Sequence, residues 1–98
     1  MSFEQHVKED RRLVILRLLA EAQGYGLNSS ILQSALEPFG HRISRDQLHT
    51  ELAWLAEQGL VRLSPVHSVQ VATLTSRGAD VAKGLAHVPG VKRPGPGE

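Results

Sequence analysis

Arg45, His49 and Thr50 lie in a stretch free of proline and glycine from Ser44 to Gln58. At about 100° per residue a helix there carries Arg45 and His49 on one face with Thr50 beside them. That face offers a guanidinium able to grip guanine O6 and N7 with two hydrogen bonds, an imidazole and a hydroxyl. Asn28, Ser29 and Ser30 open the preceding helical stretch, where side chains and backbone amides can donate to phosphate oxygens. Arg42 falls in the turn between the two, and Arg62 and His67 fall in a hairpin that suits the sugar-phosphate backbone or a minor groove. The expected chemistry of these nine residues is the recognition of double-stranded DNA.

Charge argues the other way. Between Ser44 and Gln58 one basic residue, Arg45, faces three acidic ones, Asp46, Glu51 and Glu57. Affinity for any duplex comes mainly from neutralising phosphates, so this is a poor footprint unless the glutamates point away from the groove. Over the whole chain eleven Lys and Arg stand against ten Asp and Glu, a net charge of +1, which supplies no general attraction to nucleic acid. The basic pair Lys92-Arg93 sits near the end between prolines, as a flexible arm or an extended docking segment would.

Other chemistries find little support. No cysteine is present, and His6, His41, His49, His67 and His87 lack the spacing of metal ligands. There is no glycine-rich phosphate loop, no G-x-S-x-G and no acid pair set in an evident pocket, and the Gly24-x-Gly26 pair lacks the third glycine of a dinucleotide fingerprint. The expectation is a protein that is not an enzyme and needs no metal or cofactor. Ninety-eight residues, 41% hydrophobic and 21% charged, suffice for one small domain. No apolar run approaches the roughly 20 residues of a membrane span, and the N-terminus lacks the features of a secretory signal, so a cytoplasmic location without membrane contact is expected.

The elements that must position the site follow from local pattern. Glu4 to Gln23 has the composition of one long helix with two apolar stripes, Phe3, Val7, Val14 and Leu18 on one and Ile15, Leu16 and Leu19 on another. Two stripes need two partners. Either the last helix of the chain covers the second, or Phe3, Val7, Val14 and Leu18 form the interface of a homodimer. A short second helix follows Asn28 and ends at Glu37-Pro38-Phe39-Gly40. Ser44 with Gln47 forms a capping box that starts a third helix, whose inward stripe is Leu48, Leu52 and Leu55 and whose Trp54 packs on one flank.

Gly59 stops that helix, and Val61-Arg62-Leu63 and Val69-Gln70-Val71 alternate as two half-buried strands around a tip at residues 64–68. Thr75 caps a last helix running to about Leu85, with Ala79, Ala82 and Leu85 on one face. The chain divides into a domain over residues 1–86 and an extended or disordered Pro/Gly-rich tail over residues 87–98.

Leu52-x-x-Leu55-x-x-x-Gly59-Leu60-Val61 followed by Leu74-Thr75-x-x-Gly78 resembles the winged helix-turn-helix superfamily, including regulators of the ArsR group. Three further stretches are similar to small winged-helix proteins of Mu-like transposable phages and prophages. They are Asp10-Arg11-Arg12-Leu13-Val14-Ile15-Leu16, Ser44-Arg45-Asp46-Gln47 and Val88-Pro89-Gly90-Val91-Lys92-Arg93-Pro94. The resemblance implies an α+β fold, mainly α, with a three-helix core, a two-stranded wing and a C-terminal helix. It also implies a sequence-specific DNA-binding regulator of transcription. The alternative is the same fold used as a protein-interaction module, in a phage assembly or packaging complex or against a host protein.

Overall fold

The computed structural model describes residues 2–96. The elements run α1 (Phe3–Glu21), β1 (Gly26–Asn28), α2 (Ser29–Leu36), α3 (Arg45–Glu57), β2 (Val61–Val66), β3 (Val69–Leu74) and α4 (Ser76–Lys83), with 3₁₀ turns at Gln23–Tyr25 and Glu37–Phe39. Each helix start is fixed by a side-chain oxygen that takes an otherwise unmet backbone N–H. Ser2 accepts from Gln5, Asn28 from Ile31, Ser44 from Gln47 and Thr75 from Gly78. The capping box is complete, because the Ser44 N–H also donates to Gln47 Oε1 at 3.0 Å. Such a cap stabilises by about 1 kcal/mol.

The sheet is antiparallel in the order β1-β3-β2, so the wing gains a short third strand, with Leu27 paired to Ala72. The two wing strands are also longer than the alternating runs suggested. Pairing continues to Val66 and Val69, leaving only His67 and Ser68 as the turn. His67 takes φ 56°, the left-handed conformation that two-residue hairpin turns demand. Pro65 is tolerated because β2 is an edge strand.

The core is built around α1. Leu13, Ile15, Leu16 and Leu19 are buried with Leu32 and Leu36 of α2, Leu48, Leu52 and Leu55 of α3, and Leu60. Within the chain α1 packs against α4, α2 and β3. The stripe proposed as a dimer interface is therefore split. Val14 is 9% exposed and belongs to the core, Val7 and Leu18 are half-buried, and Phe3 is 81% exposed. A glutamate at Val14 would damage the core. No helix among the described residues is long and apolar enough to cross a membrane.

The two signature motifs meet as one joint. The Thr75 hydroxyl donates to the Gly59 carbonyl at 2.7 Å while accepting from the Gly78 N–H at 2.9 Å, and the Thr75 N–H donates to the Leu60 carbonyl at 3.1 Å. A Cβ on Gly78 would stand 2.1 Å from that same Leu60 oxygen. Glycine is required there because the start of α4 crosses directly over the exit from α3. The joint thereby ties the start of α4 to the segment between α3 and β2.

The segment after α4 departs from expectation. The last helix ends at Lys83, leaving Leu85 outside it and exposed. The tail is extended but not free. Val88 and Val91 are 3% and 2% exposed, the Lys92 N–H donates to the Glu9 carbonyl, and Arg12 donates to the Gly90 carbonyl. Gly90 has φ 102°, and a Cβ there would meet the Trp54 ring at 2.8 Å. Two valines around a tight Pro-Gly turn supply enough apolar surface to dock a stretch whose composition otherwise suggests disorder. Gly97 and Glu98, the end of the expected tail, lie outside the described residues.

Candidate nucleic-acid interface

Burial of Leu48, Leu52 and Leu55 fixes the roll of α3, and Arg45, Asp46, Thr50 and Ala53 consequently face outward and are exposed. Arg45 is the first residue of α3, and its guanidinium donates to the Ser68 carbonyl at the tip of the wing. The Thr50 hydroxyl donates to the Asp46 carbonyl at 3.0 Å and keeps its lone pairs and methyl for other contacts. His49 differs from expectation. It is half-buried, and its Nε2 is enclosed without a partner among the described residues, because the helix roll turns it toward the protein's own flank.

At the start of α2, the Asn28 Oδ1 is committed to the Ile31 N–H at 2.8 Å, which leaves its amide N–H₂ as the group available outside the helix. Ser29 is corrected. It is 2% exposed and its hydroxyl accepts from the Gln70 N–H at 3.2 Å, so it ties α2 to β3 and its side chain does not reach solvent. Ser30 is exposed. With Gln33, Arg45 and Ser68 it borders a polar notch of about 280 Å³ between α2, α3 and the wing tip. Gln33 escaped the sequence analysis, and its role is local, since its amide donates to the Ile43 carbonyl at 3.0 Å and holds the turn before α3.

Arg42 is almost fully exposed, with its guanidinium 3.7 Å from Glu37 Oε1. Arg62 and His67 are exposed on the wing. The geometry thus joins Ser30, Arg45 and the wing tip around one notch, leaves Arg42, Thr50 and Arg62 accessible, and withdraws Ser29 and much of His49.

The acidity of α3 is also reduced. Glu51 is 4% exposed and lies between Arg11 Nη1 at 3.2 Å and Arg12 Nε at 3.0 Å. Arg12 in turn stacks over the Trp54 ring with its Cζ 4.0 Å from the centroid. A carboxylate satisfied inside the protein does not repel phosphate from the outer face. The signal in the sequence was the Arg11-Arg12 pair heading an apolar helical run, two cations that need an acceptor wherever they are covered.

A second polar cluster lies apart from the notch. Asp10 receives His41 Nε2 at 2.7 Å and Lys92 Nζ at 3.3 Å. Burial pushes the Asp10 carboxyl up, but the hydrogen bonds and charges of His41 and Lys92 outweigh it and hold the group below its ordinary value of 3.8. This cluster pins α1 to the turn before α3 and to the C-terminal segment. Among the described residues no group of three or more His, Asp or Glu is placed to hold a metal ion.

Comparison with known proteins extends the resemblance. The chain is 53% identical to Escherichia phage Mu protein gp26 over 88 residues, spanning 90% of this chain and 91% of that one. The chain belongs to the gp26 family. A Haemophilus influenzae protein is 46% identical over 78 residues, 79% of this chain and 76% of that one. No family model matches the chain.

Among solved structures, the gp26-family fold matches Sco3205, a MarR-family transcriptional regulator of Streptomyces coelicolor in complex with DNA, with a TM-score of 0.65 and 24% identity over 82% of this chain. The chain spans 52% of that regulator's length. The complex structure of hsRosR-S1 matches with a TM-score of 0.60 and 21% identity, over 85% of this chain and 67% of that one. These likenesses establish the winged-helix fold, and the narrower ArsR likeness has no counterpart in these two.

Proposed function

We propose that this gp26-family chain binds double-stranded DNA and regulates transcription for a phage or prophage, in the cytoplasm of the host. In this proposal α3 enters the major groove, Arg45 and Thr50 read base edges, Ser30 and the start of α2 meet phosphate, and Arg42 and Arg62 meet the flanking backbone. The observation that carries it is the inward turn of Glu51 against Arg11 and Arg12, which removes a carboxylate from the helix that would face DNA. Arg45 is the hinge of the proposal, because it stands at the start of α3 and already touches the wing tip.

The test is a fluorescence-anisotropy titration of the full chain with its own upstream DNA and with random duplex across a range of salt. The upstream site is expected to bind more tightly. Arg45→Ala should lose about 1–3 kcal/mol on that site alone. Arg42→Ala and Arg62→Ala should weaken both duplexes alike and each lower the salt slope by about 1. Equal affinity for the two duplexes at every salt concentration would refute sequence-specific regulation.

One observation favours a second proposal. The exposed charge of α3 remains acidic, Arg45 against Asp46 and Glu57, which suits a protein-interaction module in a phage assembly or packaging complex or against a host protein. Reversing the exposed Glu57 to lysine distinguishes the two. A DNA reader gains a salt-sensitive affinity for any duplex, whereas an adaptor loses its protein partner in pull-downs.

A further inference from the structure

Away from the DNA-facing side, a groove of about 350 Å³ runs between the second half of α1, the 3₁₀ turn at Glu37–Phe39 and the end of α4. Its floor includes Leu18 and Ala82, and Phe39, 57% exposed, stands on its wall as a protruding ring. Its rim carries both signs of charge, Arg17 and Lys83 against Glu21. None of these three is in an ion pair among the described residues. Glu21 is moreover the last residue of α1, where no basic side chain occupies the final turn. A carboxylate at a helix C-terminus is disfavoured by the helix dipole, and a nearby cation offsets that effect.

We infer that this groove is the seat of a second copy of the same chain, docked about a twofold axis. A twofold interface places one patch against itself, so the patch must hold both members of every complementary pair. This one does. It has a knob, Phe39, beside a hollow roomy enough for an aromatic ring, and it has cations, Arg17 and Lys83, beside the unpaired anion Glu21. In the dimer Phe39 of each copy enters the groove of the other, and Glu21 of each meets Arg17 or Lys83 across the axis. A partner with a single sign of charge would leave either Glu21 or the two cations unmet. The seat overlaps the α1 stripe read from sequence at Val14 and Leu18. It does not involve Phe3 or Val7, and Val14 contributes from the core. The inference is independent of the DNA proposal, since its measurement contains no DNA.

Sedimentation velocity of the full chain at graded concentrations tests it. Wild type is expected to sediment as a dimer at tens of micromolar. Phe39→Glu, at an exposed position, should shift it to a monomer with an unchanged circular-dichroism spectrum. Glu21→Arg alone should weaken the dimer about tenfold or more, and the double variant Arg17→Glu with Glu21→Arg should recover much of that loss, because both sides of the pair are exchanged. If Phe39→Glu does not fold, the charge pair still decides. A monomeric wild type at 100 µM, a small apolar ligand filling the groove of a monomer, or a dimer indifferent to both Phe39→Glu and Glu21→Arg would each overturn the inference.

Discussion

Replacing Glu51 by alanine is the most revealing single change, because the structure gives that buried carboxylate two arginine partners. The side chains of Glu51, Arg11 and Arg12 are only 5%, 12% and 11% exposed. Removing the shared anion leaves two covered guanidiniums without a counterion, and breaking a buried pair in this way costs about 3–5 kcal/mol. Arg12 keeps its bond to the Gly90 carbonyl and its stack on Trp54, which places the loss near the lower figure, about 3 kcal/mol. A domain of this size has about 5–15 kcal/mol to lose, so the variant should fold but melt early. At about 4–8 °C per kcal/mol, the midpoint should fall by about 12–24 °C.

Urea denaturation followed by Trp54 fluorescence and by circular dichroism provides the assay, with the indole reporting on the cluster itself. Glu51→Gln should lose less than the alanine variant, since the amide oxygen still accepts from one arginine. A loss below about 0.5 kcal/mol for Glu51→Ala, the range of ordinary surface substitutions, would refute the view that α3 hides this charge. It would also return Glu51 to the outer face and weaken the DNA proposal.

Gly78→Ala should cost about 1–3 kcal/mol, because its methyl meets the Leu60 carbonyl and Leu74 at distances no contact allows; a melting temperature equal to wild type would show that the joint between α3 and the wing can yield. Asp10 contributes stability that is fully present above its unfolded pKa and lost as pH falls through its lower folded value. Asp10→Asn should therefore flatten the acid side of the stability-versus-pH curve below about pH 4, and an unchanged slope in urea melts at pH 3 to 5 would exclude that role. Val91→Ala should destabilise by about 2 kcal/mol if the C-terminal segment is part of the core, whereas a surface-like effect within about 0.5 kcal/mol would mean the segment is not docked in solution.

Much of the fold was written in local chemistry. Ser44 with Gln47, Asn28 and Thr75 announce helix starts by hydrogen bonds that close within a few residues, and the leucine stripe of α3 fixes its roll without reference to the rest of the chain. What local pattern could not supply was pairing over long separations. Nothing near Ser29 says that its hydroxyl meets the Gln70 amide, and that contact is what withdraws it from phosphate. The docking of the extended tail was not legible for a related reason. Proline and glycine content describes how a segment behaves alone, while Val88 and Val91 are buried in a segment that is held by Glu9 and Arg12 of α1 and lies against Trp54 of α3, which composition cannot anticipate.

The same long-range pairing changes the meaning of charge. Counted along α3, three carboxylates oppose one guanidinium, and the helix looks unfit for DNA. In the folded chain the central carboxylate is consumed by Arg11 and Arg12, and Arg12 is itself held by Trp54 and the Gly90 carbonyl. The acceptor that satisfies Arg11 and Arg12 of α1 is thus the residue whose removal from the outer face of α3 leaves less negative charge there to repel phosphate. One buried contact links stability to the proposed DNA-binding face, and for that reason reversing Glu51 is the wrong way to test DNA affinity. Glu57, exposed at the end of the same helix, changes the outer charge without opening the core. A rise in duplex affinity for Glu57→Lys with an unaltered melting temperature would separate the two effects. A fall in both would mean that the outer face and the core are not independent.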